Sequence, residues 1–173
     1  MDAHEKKHRR HQCLSQIPRK IILLHERDDV SEFILHDICH EHCFNLDRAA
    51  FFVDSPDFDC LKGVVGYSRP EHNESNVPVW QDHCKFADFM SQSEFNKMVR
   101  SVLRTSLKKS VIPDEEIAHG LAKELGMKQH EFCSLSLKHD NHGIFLYEGS
   151  GEKDFTLEEL LDGLSLLGFC PVF

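Results

Sequence analysis

Apolar residues occur along this chain both as short runs and at helical spacing, and the two patterns alternate. Ile21 to Leu24, inside RKIILLHE, is an apolar run bounded by charge and reads as a buried strand. Asp29, with Glu32 three positions on, has the form of a capping box and starts a helix expected to end near Phe44 or Asn45. AAFFV at 49–53 reads as a second buried strand, closed by a turn around Ser55-Pro56-Asp57. A third strand is expected from Leu61 to Tyr67, where Gly63 and Gly66 suggest a bulge or a close backbone approach. Residues 69–78 are polar, with two prolines and two asparagines, and read as a long loop containing His72.

The second half is more helical. Ser91 and Glu94 repeat the capping-box pattern, and Phe95, Met98, Val99, Val102, Leu103 and Leu107 predict one long amphipathic helix with Lys97, Arg100, Arg104, Lys108 and Lys109 on its outer face. Pro113 opens another helix with the face Ile117, Ala118, Leu121, Ala122 and Leu125, which Gly126 is suited to close. Phe132 to Leu137 and Ile144 to Tyr147 flank KHDNHG and predict a hairpin. Phe155 to Leu167 predicts a last amphipathic helix, weakened in the middle by Gly163. The sum is an α+β fold, a single domain with a mostly antiparallel sheet of about five strands packed with about four helices.

Length and composition sharpen that picture. A chain of 173 residues, 40% hydrophobic, builds one ordinary core rather than two. Thirteen Phe against two Tyr and one Trp point to a dry aromatic interior rather than a recognition surface. No stretch approaches the roughly 20 apolar residues of a membrane span, so no membrane role is expected. Seven cysteines, an odd count without the spacing of a small disulfide scaffold or a secretory apolar segment, predict reduced thiols in the cytoplasm. Charge is uneven: residues 1–20 carry six basic and two acidic side chains, a balance of +4, so the overall −9 leaves −13 for the rest. Residues 1–18 hold little apolar content and read as a mobile, basic, His-rich tail, leaving 19–173 as the folded domain.

Candidate chemistry concentrates in HDICHEHC, from His36 to Cys43, where five of eight residues are His or Cys. These donors suit zinc or iron. On a regular helix His36, Cys39, His40 and Cys43 fall within an arc of about 100°, pointing largely away from the apolar stripe of Val30, Ile34, Leu35 and Ile38. His36 and Cys43 would lie about 10 Å apart along the axis, so one ion takes at most two or three of them. The remaining ligands must come from elsewhere, and Cys60, His72, His83 and Cys84 are nearest in sequence, the His83-Cys84 pair lying just before an apolar segment. Asp37 and Glu41 are placed to orient histidines from behind. The expectation is a cytoplasmic metal-binding protein with a regulatory or interaction role, holding Zn or Fe through a set drawn from His36, Cys39, His40, Cys43, His83 and Cys84. Whether it is an enzyme is left open.

Three other readings attach to particular segments. FILHDICH resembles the apolar-His-Asp helix of HD-type metal-dependent phosphohydrolases. That resemblance implies His36 and Asp37 as ligands in an all-helical domain, although Cys39 stands where the family has Gly, and the family's earlier His and later Asp have no evident counterparts. AHGLAKELGMKQHEFCSL at 118–135 looks like a helix-turn-helix, with Ala122 and Gly126 at the turn and Lys128, Gln129 and His130 offered to nucleic acid. Finally, the acidic body and the order of elements are compatible with a metal-free dimeric chaperone or adaptor, whose partner would be a protein or a second copy of the chain.

Overall fold

The computed structural model describes residues 3–24, 27–107, 112–149, 151 and 153–170. Among them are five antiparallel strands: β1 (Leu46–Ser55), β2 (Cys60–Ser68), β3 (Leu103–Thr105), β4 (Glu131–Ser136) and β5 (His142–Gly149). They form one sheet in the order β3-β2-β1-β5-β4, which is an α+β fold as the patterning predicts. β1 is central, and its alternating side chains enter two separate cores. Ala49, Phe51 and Val53 point to one, Ala50 and Phe52 to the other. Both faces of the sheet are therefore covered by helices. Over the first face lie α1 (Ala3–Ile22), α2 (Val30–Cys39), α4 (His83–Gln92) and α7 (Leu157–Leu164); over the second lie α5 (Glu94–Ser101) and α6 (Asp114–Glu124). A short α3 (Arg69–Ser75) follows β2, and a 3-10 turn, Ser165–Phe169, follows α7. Among the described residues no helix is long and apolar enough to cross a membrane.

Four expectations are corrected. The basic tail is largely helical: α1 docks through Ile17 and through Arg10, whose side chain is buried. That guanidinium donates to the Asp154 and Glu159 carboxylates (2.8 and 2.9 Å) and to the Cys43 carbonyl (3.2 Å), so paired charge replaces the apolar content the segment lacks. The strand expected at 21–24 is the end of α1 and the turn after it. Ile22 and Leu23 of that run are exposed and only Leu24 is buried. The helix expected to reach Phe44 stops at Cys39, because His40 leaves helical geometry (φ −59°, ψ 152°) and Asn45 turns the chain into β1 with φ +53°. Nor does Asp29 cap α2 through its side chain; Arg27 holds both of its carboxylate oxygens at 2.8 and 2.6 Å.

The single long helix expected from Ser91 is instead α4, α5 and β3. Ser93 breaks it by capping α5, accepting the Asn96 N–H at 3.1 Å. Residues 103–105, helical by pattern, pair with Cys60–Lys62 on the otherwise open edge of β2, where tertiary pairing overrides propensity. Gly63 and Gly66 do mark a close approach. A Cβ on Gly63 would lie 1.8 Å from the Val99 carbonyl oxygen, and one on Gly66 would lie 2.7 Å from a Val99 methyl, so α5 rests directly on β2. Asn96 joins the layers there: it accepts the Gly66 N–H (2.8 Å) and donates to the Met90 carbonyl and to Glu32 of α2.

Candidate functional site

All ten residues of α2 are buried, which explains why its polar positions do not form a wet face. The sheet covers one side. The far side is covered by α1, by α3, by Trp80 and by Phe86 of α4. A His and an Asp held this deeply must be hydrogen-bonded, and they are.

Asp37 is the anchor. Its Oδ1 accepts from Trp80 Nε1 at 2.8 Å and lies 3.1 Å from His36 Nδ1, while Oδ2 accepts from Lys20 Nζ at 2.7 Å. Burial alone would raise its pKa, but the hydrogen bonds from His36, Lys20 and Trp80 outweigh it and hold the carboxyl below its ordinary value. An ionised carboxylate only accepts, so the hydrogen-bond network assigns the His36 proton to Nδ1. In the neutral ring Nε2 is then a bare lone pair. It points at His72 of α3, with the two Nε2 atoms 3.3 Å apart. Burial first, then the proximity of His36 and His40, lowers the His72 pKa to about 4, so this ring is neutral at physiological pH. Its Nδ1 is buried and has no hydrogen-bond partner among the described residues. Tyr67 and Phe86 pack edge-on against His36 and wall the pair in.

His40 stands beside this pair without joining it. Its ring centroid is 5.8 Å from that of His36 and 5.0 Å from that of His42, whose N–H it accepts at 3.3 Å. Burial, followed by His36 and His42, lowers its pKa as well. Of the six ligands expected from sequence, then, His36 and His40 are neighbours and the other four lie elsewhere. Cys39 points into the core with no exposed surface, and burial pushes its thiol well above the ordinary range. Cys43 lies past the helix end, buried, where its carbonyl accepts from Arg10 of α1 at 3.2 Å. His83 packs its ring on Phe33 and Trp80, and Cys84 is exposed beside Arg27. Among the described residues no three His, Cys, Asp or Glu side chains converge as a ready metal cage.

His72 was one of four partners open to α2, and the fold selects it because Arg69–Ser75 forms a helix where a loop is expected. Pro70 in its first turn is the local signal for that helix. Lys20 and Trp80 carry no sequence signal for their role; tertiary packing alone brings them to Asp37.

Two alternatives are corrected. Residues 131–136, the second half of the supposed helix-turn-helix, are strand β4. Gly126 does close α6, with φ +66°, but the chain then enters the sheet. The Lys128 and Gln129 backbone N–H groups both donate to Glu148 (2.6 and 3.1 Å), and His130 packs on His119, so no recognition helix exists to present them. The HD-type phosphohydrolase reading requires an all-helical domain, whereas His36 and Asp37 here lie on a helix packed on a five-stranded sheet. No protein-family model, curated protein or solved structure matches this chain.

Proposed function

We propose that this protein binds zinc or ferrous iron through His36 and His72, and that occupancy serves a regulatory rather than a catalytic role. The observation that carries this reading is the opposed Nε2 pair at 3.3 Å, backed by the carboxylate on His36 Nδ1. Two nitrogens bound to one tetrahedral zinc at about 2.05 Å are about 3.3 Å apart, so the spacing suits a shared cation as well as a shared proton. The Asp37–His36 contact has the carboxylate–histidine form that orients ligating imidazoles. His72, neutral with its pKa near 4, ligates without net proton loss once the proton it shares with His36 Nε2 moves to its own Nδ1. His40, half-buried at the end of α2, is the nearest third donor and would reach by turning its ring from the His42 N–H.

His36 is only 5% exposed and is enclosed by aromatic rings, which suits a cation that holds α3 to α2 better than one that receives a substrate. The same reading places the protein in the cytoplasm, where its seven free cysteines stay reduced. The test is a zinc competition titration against a chromophoric chelator, on tag-free protein. One ion per chain is expected, lost in His36→Ala and in His72→Ala and kept in Cys39→Ser and Cys84→Ser. Absence of binding, or binding indifferent to His72→Ala, overturns the proposal; the second result would move the metal to other histidines.

A further inference from the structure

Two clefts lie at the end of the sheet where β4 turns into β5, between that turn and the 3-10 turn after α7. Among the described residues both are lined by Leu137, Lys138 and Gly168, so they join into one trough. Its first chamber, about 400 Å³, is lined by Leu135, Leu137 and Leu161, which are partly buried against the core. The second, about 500 Å³, reaches Ser55 at the end of β1 and carries Lys138, His139 and Asn141. Chambers of this size suit small molecules.

The second chamber holds two unmet hydrogen-bonding groups. Ser55 is 1% exposed, and its hydroxyl has no hydrogen-bond partner among the described residues. Asn141 Oδ1 is buried and unpaired in the same way. A half-turn of that amide only exchanges a bare acceptor for a bare donor. Groups this deeply placed are ordinarily satisfied, so two of them on one chamber call for a partner. The turn beside them is also held in an uncommon shape. His139 and Asp140 both lie in the left-handed region (φ +58° and +54°), where Asn and Gly are usual, and the Asn141 N–H closes the turn on the Lys138 carbonyl at 3.3 Å. Strain of this kind is retained where it places functional groups.

We propose that the trough binds a single-chain carboxylate of the fatty-acid class, with its tail along Leu135, Leu137 and Leu161 and its head at Ser55 and Asn141. A carboxylate only accepts hydrogen bonds, and this end of the trough supplies donors: the Ser55 hydroxyl, the Asn141 amide once turned, and the Lys138 ammonium. Asp57 also lines this chamber, but it is exposed and water screens its charge. The two chambers together select the ligand. An inorganic anion leaves the leucines in water, and a plain hydrocarbon leaves Ser55 and Asn141 unpaired.

The test titrates decanoate, below its critical micelle concentration, into the full chain with a metal chelator present, so that its outcome is independent of the histidine site. Calorimetry should show one molecule bound per chain, and NMR should show shifts at the Leu135, Leu137 and Leu161 methyls and at the Ser55 and Asn141 amides. Decanol, which lacks the charged head, should bind about tenfold more weakly, and acetate, which lacks the tail, should give no saturable heat. Ser55→Ala should weaken decanoate about fivefold while leaving the free protein no less stable, since the hydroxyl has no bond to lose. Absence of saturable decanoate binding, equal affinity for decanol, or shifts that spare these five residues overturns the proposal in the unmodified protein, whatever the folding of the variant.

Discussion

Glu32 is a buried carboxylate whose replacement should stabilise the fold. Its side chain is 4% exposed, and its Oε1 receives Asn96 Nδ2 at 3.2 Å and Arg100 Nη1 at 2.9 Å. Burial pushes its pKa from 4.5 up to about 6, so desolvation exceeds what Asn96 and Arg100 return. A folded-state pKa above the unfolded value means that the protonated form favours folding. The contribution is therefore complete below about pH 4.5 and is lost as pH rises through about 6. Raising the pKa from 4.5 to about 6 corresponds to about 2 kcal/mol of stability absent at pH 7.

Glu32→Gln should restore it. The glutamine oxygen still accepts from Asn96, and the opposing expectation, that removing one partner of a buried ion pair costs about 3–5 kcal/mol, does not apply, because the Arg100 side chain is 56% exposed and returns to water. Urea unfolding of both proteins should give equal stabilities at pH 4 and a gap of about 2 kcal/mol in favour of the variant at pH 7, or about 4–8 °C in Tm. A variant less stable at pH 7, or a difference that does not change with pH, would refute the argument that burial outweighs the ion pair.

Three further perturbations separate the other interactions. Gly63→Ala places a methyl 1.8 Å from the Val99 carbonyl oxygen and should cost more than about 3 kcal/mol in chemical denaturation, whereas Gly120→Ala meets nothing within 4 Å and should gain about 0.5–1 kcal/mol. Arg10→Ala leaves Asp154 and Glu159 without their buried partner and should destabilise by about 3 kcal/mol with faster amide exchange along α1, while Arg9→Ala, whose partner Glu5 is exposed, should change stability by less than about 0.5 kcal/mol. Asp37→Asn should lower zinc affinity by about 10–100-fold in the chelator titration, through loss of the carboxylate on His36 Nδ1.

Much of the sheet is legible in the sequence because its signals are local. AAFFV, the strand with Gly63 and Gly66, and the hairpin around KHDNHG each carry their own pattern and turn residues, and Pro113 with Gly126 brackets α6. What fails depends on contacts made far away. The Phe95–Leu107 period is helical throughout, yet its last part is taken by the edge of β2. The N-terminal segment is poor in apolar residues and docks through Ile17 together with Arg10, which Asp154 and Glu159, far along the chain, receive. The site divides in the same way. His36 and His40 stand out from spacing, but the choice of His72 over His83 rests on α3 folding, and the anchoring of Asp37 by Lys20 and Trp80 is visible only in three dimensions.

A helix enclosed on every side has no peptide group that breathes into solvent by fraying of a single neighbour. The amide protons of Phe33 to Cys39 should therefore persist longest when the protein is placed in deuterium oxide, vanishing only when the whole molecule opens. The imidazole at position 36 shares that seclusion, so anything exchanged at it must arrive from the α3 side, where the seven-residue helix buries no residue and is tied by polar contacts, Glu71 accepting from Ser93 and Phe95 and Arg69 donating to the Cys39 and Leu46 carbonyls.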